Sequence, residues 1–388
     1  MSRISRRLFI AGTAAGLVGA RQARAAEPIK LGASVGLTGR LSDSAKYTQE
    51  GYLLWVDEIN AAGGIDGRKV ELTLYDDESN PDTGRVLAQR LIDRDGVLAL
   101  LGPYASPITD AEAVVAERAQ VPMIGTLASD SSIWSRRKLQ WSFQAFPSST
   151  YDHQGFLEIV KTKAPDLKKL AIVFEETPFS VGAKEWAVKA AGAQGLTVEA
   201  YGYTPGAQDF RSIIERMVGF GAEAVSMGGY YQPSIALTRQ MIERAFNPPG
   251  YNFIQAADGV SKNALGANVE GIFGRSAWEA TEDNDQTRAF VAAYEKRYQR
   301  TPSYHSAAGY AAGQLMAGAI KAAGTDRAKI RDFLATQSFP TVMGTYKVNE
   351  RGQQEGYRYV AIQWQGGVSK IVGGKSPTPI IWPKPKWS

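Results

Sequence analysis

The chain has 388 residues, 44% hydrophobic and 21% charged, the balance of a globular protein long enough for two separate cores. Its formal net charge is +5, yet five of its 44 basic residues fall in the first 26 positions, which hold no acidic group. The remainder balances the 39 acidic residues, so net charge argues for neither nucleic acid nor anionic lipid as a partner. There is no cysteine and only two histidines, His153 and His305, which excludes disulfides, thiol catalysis and cysteine or multi-histidine metal sites.

Residues 1–25 read as an export signal. "MSRISRR" is basic, "LFIAGTAAGLVG" (8–19) is a short apolar run, and "ARA" (23–25) fits a small-x-small cleavage site. "SRRLFI" (5–10) matches a twin-arginine signal, so a mature chain starting near Ala26 and exported to the periplasm is expected.

Strand and helix patterns then alternate. Strand 29–36 precedes a helix over 47–64, stopped by Gly63 and Gly64. Over 69–77, Val70, Leu72 and Leu74 alternate with Glu71 and Thr73, the period of a strand. A helix (82–96), a strand (97–102), a helix (109–120) and a strand (121–125) follow. The rhythm resumes with helices at 151–164, 181–195, 210–221 and 234–246, interleaved with strands at 169–176, 197–203, 224–230 and 251–259. Two consecutive helices (284–300 and 305–324) and a hairpin turning at "QGG" (356–374) come next. The Pro-rich tail "KSPTPIIWPKPKWS" is expected to lie extended along the surface. Repeated β-α units predict an α/β protein of two doubly wound parallel-sheet lobes.

Ligands of such sheets bind beyond the carboxyl ends of the strands, which selects the residues that follow each strand. "GPYASPITD" (102–110) places Tyr104 and Ser106 between a buried strand and a helix, where a hydroxyl and main-chain N–H groups suit an anion. "GTLASDSS" (125–132) offers Thr126, Ala128 and Ser129 at the next strand end. In the second half, "GGYYQ" presents Tyr230, "AADGVS" presents Asp258, and "EETPFS" brings Phe179 to the same rim. A carboxylate at Asp258 with the Tyr230 ring suits an ammonium group. Local capping and turn formation also account for Ser106, Ser129 and Asp258 taken singly. No nucleotide-binding glycine loop and no G-x-S-x-G elbow is present. Ser106 with His305 is the sole nucleophile–base pair that a hydrolase reading can name.

The stretches "GLTGRLS", "GYLLWVDEINAAGGIDGRKVELTLYDDESNPD", "LGPYASPIT", "VPMIGTLAS", "GGYYQP" and "SYHSAAGYAAGQL" resemble the leucine–isoleucine–valine-type periplasmic binding proteins of ABC transporters, over nearly the whole chain. The resemblance implies two lobes joined by a three-crossing hinge: 27–147 with 277–355, and 148–276 with 356–388. It implies a non-enzymatic receptor without cofactor or metal, which delivers a small-molecule ligand to an inner-membrane ABC permease. It places an α-carboxylate at Ser106 and Ser129 with main-chain help at Leu127 and Ala128, and an α-ammonium at Asp258 and Tyr230. Phe179, Ser44, and Tyr304 or His305 would form the walls. Ser44 stands where amino-acid binders carry a bulky aromatic. The expected ligand is a branched-chain or aromatic amino acid, with a carboxylate or amide lacking the α-amine as the alternative.

Overall fold

The computed structural model describes residues 27–257 and 259–388. The export signal and Asp258 therefore lie outside the described residues. In chain order the first lobe opens with β1 (Ile29–Val35), α1 (Ser42–Ala61), β2 (Val70–Asp76), α2 (Pro81–Asp93), β3 (Ala99–Leu101), α3 (Ser106–Ala119), β4 (Met123–Gly125), α4 (Ser132–Arg137) and β5 (Ser142–Gln144). The chain then crosses to α5 (Gln154–Lys163), β6 (Lys169–Glu175), α6 (Pro178–Ala193), β7 (Thr197–Tyr203), α7 (Arg211–Phe220), β8 (Ala224–Met227), α8 (Tyr231–Glu243), β9 (Gly250–Phe253), α9 (Gly259–Leu265) and β10 (Phe273–Ser276). It returns for α10 (Asp285–Tyr298), α11 (Tyr304–Ala323), α12 (Arg327–Thr336) and the small hairpin β11 (Phe339–Thr341) with β12 (Gly344–Tyr346). A third crossing ends in β13 (Val360–Gln365) and β14 (Val368–Val372).

The first sheet has the order β2-β1-β3-β4-β5 and is parallel throughout. The second has the order β14-β13-β10-β9-β8-β6-β7, parallel from β7 to β10, with β13 and β14 added antiparallel. Burial follows from this layering. Leu31, Ala33 and Val35 of β1, like Leu170, Ala171, Ile172 and Val173 of β6, are almost wholly buried because helices cover both faces.

Glycines set how closely α1 and α11 pack. A Cβ on Gly51 would lie 2.1 Å from the Ser306 carbonyl oxygen, and one on Gly309 would lie 2.5 Å from that of Thr48. At Gly313 it would meet the Trp55 ring at 2.1 Å. Gly51→Ala is therefore expected to force the helices apart, at a cost of about 1–3 kcal/mol for overpacking. Calorimetry should show a Tm several degrees lower; an unchanged Tm would contradict the packing.

A carboxyl pair sits under the first sheet. Ser34 of β1, Asp77 just past β2 and Glu112 of α3 are all buried. Ser34 Oγ lies 2.9 Å from Asp77 Oδ2 and also contacts Glu112 Oε1. One hydroxyl has one hydrogen, so a second proton on one of the carboxyls is needed to satisfy the group. Burial pushes Asp77 up to about 7 and Glu112 well above the ordinary carboxyl range. A raised carboxyl pKa costs nothing below about pH 4, where both folded and unfolded chains are protonated, and costs progressively more up to the folded value. Stability is thus expected to fall between pH 4.5 and pH 8. Glu112→Gln should flatten this slope and raise stability at pH 8. Thermal melts across this range check it, and parallel curves for the two proteins would refute it.

The tail runs along the surface as expected, most of its residues exposed, and it is also strapped to the second sheet. Gln363 exchanges two hydrogen bonds with the Ile381 main chain, at 2.8 and 2.9 Å. Trp382 packs against Phe156 and Phe273, over Gly250, where a Cβ would meet its ring at 2.2 Å. Lys384 is buried on Asn247, and burial pulls its amine down to about 7. Three aromatic and aliphatic side chains in a polar-looking tail (Ile381, Trp382, Trp387) were the overlooked signal.

Candidate functional site

The strand ends of both sheets face each other across one cleft. On the first lobe, Gly102 follows β3, and a Cβ there would lie 2.4 Å from the Ile124 carbonyl, so only glycine lets the β3 and β4 ends approach this closely. Tyr52 of α1 donates to Gly102 O at 2.5 Å and lies 2.7 Å from Thr126 Oγ1, which ties the two loops together. Ser106 begins α3, and its Oγ accepts from the N–H groups of Ser129 and Asp130, each at 3.1 Å. The hydroxyl and these two N–H groups converge at a helix N-terminus that no side chain caps. The two N–H groups thereby fix Ser106 Oγ, whose own hydrogen is left to donate to an anion in the cleft.

The second lobe supplies Phe179 from the start of α6, Tyr230 between β8 and α8, Gln255 past β9, and Arg275 on β10, all buried. Gln255 Nε2 donates to Tyr104 Oη across the cleft at 3.0 Å, leaving Oε1 without a partner. The Tyr230 hydroxyl is buried and unpartnered as well. Arg275 Nε donates to Asp152 Oδ1 at 2.6 Å, while its Nη1 has no partner. Burial disfavours the Arg275 charge, but Asp152 and the Tyr359 and Tyr304 oxygens outweigh it and raise its pKa.

Aromatic rings close the circle. Tyr104 stands edge-on to Tyr230 (6.1 Å between centroids) and to His305 (4.9 Å). Tyr304 stacks on His305 at 4.1 Å and on Phe146 at 5.9 Å, and Phe179 tilts onto Tyr230 at 5.4 Å. Arg275 lies over Tyr359 at 4.0 Å, beside Phe146.

Eight of the sequence-selected residues line this cavity: Tyr104, Ser106, Leu127 and Ser129, together with Phe179, Tyr230, Tyr304 and His305. Tyr304 and His305 both face it, so the two alignments do not exclude one another. Ala128 and Ser44 are not among the lining residues. The Ala128 carbonyl accepts from Gln144 and its methyl belongs to the first-lobe core, while Ser44 is buried on α1. Asp258 lies outside the described residues. Phe146, Gln255 and Arg275 also line the cavity, and sequence reasoning missed them. Gln255 was within reach, inside the segment read as strand 251–259, which in the structure ends at Phe253. Phe146 lies just past the short strand β5 and Arg275 on the short strand β10, both of which carry too little periodicity to be assigned.

The lobes are closed. Arg40 of the first reaches Glu175 of the second at 3.4 Å and lies over the Tyr230 ring, and Gln232 donates to Asp43 at 3.1 Å. The cavity between them is about 20 Å³, room for about one water molecule. A solute of even a few heavy atoms enters and leaves only when the lobes part. A larger hollow of about 770 Å³ lies on the hinge side of the second lobe, and Arg275 and Asp152 form the partition between the two spaces.

Two lobes closing over a small cleft lined by a hydrogen-bond-oriented serine hydroxyl and aromatic rings define a solute receptor. The chain matches the periplasmic binding protein family over residues 28–368 and belongs to it. The family consists of solute receptors, not enzymes, which disposes of a Ser106–His305 hydrolase. The chain is 28% identical over 391 residues to Leu/Ile/Val-binding protein homolog 7 of Brucella suis, spanning 94% of this chain and 95% of that protein. Two solved structures share its fold. The branched-chain amino acid transporter substrate-binding protein LivJ of Streptococcus pneumoniae, in complex with isoleucine, has a TM-score of 0.81 at 23% identity, covering 89% of this chain and 99% of that one. An ABC transporter solute-binding protein of R. palustris, in complex with benzoate, also has a TM-score of 0.81, at 21% identity, covering 89% and 96%.

Proposed function

We propose that the chain is a periplasmic receptor that closes on a small amino acid, branched-chain or aromatic, and delivers it to an ABC importer of the inner membrane. The observation that carries this is the opposition across the cleft. Ser106 Oγ, held in place by the Ser129 and Asp130 N–H groups, faces, from the other lobe, the unpartnered Gln255 Oε1 and Tyr230 hydroxyl. The Ser106 hydroxyl, as a donor, suits a carboxylate and the opposite pair an ammonium, the group to which the family resemblance assigns Asp258. A zwitterion bridging the two contacts both lobes only when they are closed, and that difference in contact shifts the equilibrium towards closure. Leu/Ile/Val-binding relatives support this ligand class. The export-signal pattern that the sequence carries at residues 1–25 supports the location.

A second reading, a carboxylate without an amine, is favoured by the Arg275 guanidinium in the cleft wall and by the benzoate complex of a structural neighbour. Titration calorimetry with amino acids and with their des-amino counterparts separates the two. Binding confined to the des-amino series would remove the amine from the proposal, and no binding in either series would reject the receptor reading.

A further inference from the structure

Arg275 is the one described cation that lines the closed cleft, and its surroundings leave one part of it unfinished. Nε is committed to Asp152 Oδ1, while Nη1 is buried with no partner. The residue is about 5% exposed, and its guanidinium is flanked by the Tyr359 and Phe146 rings. A buried guanidinium N–H without an acceptor is costly, more so than a neutral group in the same position. The carboxylate end of the ligand already has its donor in the Ser106 hydroxyl, which the Ser129 and Asp130 N–H groups orient. The donor end has Gln255 Oε1 and Tyr230. Arg275 Nη1 is left over from both.

We infer that Arg275 is a specificity-determining residue, and that the preferred ligand carries, besides its carboxylate, a second oxygen acceptor, a side-chain carboxylate or carboxamide, that meets the Arg275 guanidinium. This rests on the receptor reading and narrows it, since a purely aliphatic side chain leaves Nη1 as it is. The position of Arg275 also ties recognition to motion. It immediately precedes Ser276, where the chain leaves the second sheet for α10. Its partner Asp152 lies at the crossing after β5, and Tyr359 lies at the crossing before β13. A ligand atom held by Arg275 is therefore one side chain away from all three connections between the lobes.

Calorimetry on the full receptor with matched pairs tests this: glutamine against norleucine in the amino series, glutarate against pentanoate in the des-amino series. Whichever series binds should favour its acceptor-bearing member by at least about tenfold. Arg275→Met should erase that preference while keeping the affinity for the apolar member within about threefold. Asp152→Leu/Arg275→Met is the companion variant, in which no buried carboxylate is stranded, and should behave the same way. Equal affinities within a pair for the wild-type protein would overturn the inference. So would folded variants that lose both members of the pair equally, because that is the signature of a structural role. Absence of binding in both series would instead overturn the receptor reading, and this inference with it.

Discussion

Asp152→Ala is expected to lower the unfolding free energy by roughly 3–5 kcal/mol, the largest stability loss of any substitution considered for this protein. Asp152 and Arg275 are both buried, and their 2.6 Å contact is the charge compensation that each receives. Burial lifts Asp152 to about 6 against the pull of Arg275, so the carboxylate is held ionised at neutral pH by its partner. Removing it leaves a guanidinium that cannot shed its proton. The double variant Asp152→Leu/Arg275→Met should recover most of the loss, since a buried pair replaced by apolar groups of similar volume is often neutral. Urea denaturation of the three proteins measures this. A loss below about 1 kcal/mol in the single variant would mean that the pair is solvated in solution.

Ser106→Ala is expected to weaken the ligand by roughly 10- to 100-fold, the worth of a charge-assisted hydrogen bond in an enclosed site. Ser129→Ala should be much milder, within a few-fold. The two serines look alike in the sequence, but their roles differ in the structure. Ser106 presents its hydroxyl to the cleft, whereas the Ser129 main-chain N–H, which alanine retains, holds Ser106 Oγ in place. Calorimetry with the tightest ligand found for the wild-type protein decides it. Equal losses in the two variants would show that the carboxylate sits elsewhere.

Much of this architecture was legible because its strands are long or strongly alternating. β1, β2, β6 and β7 are seven residues each, and their hydrophobic period announces them. The rule that parallel sheets bind at strand ends then led directly to Ser106, Ser129, Phe179 and Tyr230. It failed where a short strand is also polar: β3 and β4 are apolar runs of three residues, but β5 (Ser-Phe-Gln) and β10 (Phe-Gly-Arg-Ser) are not, so nothing marked Phe146 or Arg275 as lying at a strand end. The α4 helix, six residues long, is invisible for the same reason. Pairings between distant segments were out of reach altogether. Nothing in the sequence joins Ser34 to Glu112, or Arg40 to Glu175; they meet because β1 carries Ser34 beneath α3 and because the lobes close. Ala128 was chosen for its smallness near a strand end, yet its carbonyl is turned towards Gln144 and away from the cleft.

The strap formed by the last eight residues bears on how the protein is made. Trp382, Lys384 and Trp387 pack onto β9, β10 and the turn before β9, which were synthesised more than a hundred residues earlier. The first lobe has its whole sheet in the initial 144 residues and needs only α10 to α12 to complete its core, but the second cannot finish until the carboxyl terminus leaves the ribosome. The growing polypeptide therefore exposes an incomplete hydrophobic sheet for most of its synthesis, the window in which a chaperone would be engaged. Final consolidation becomes a post-translational event.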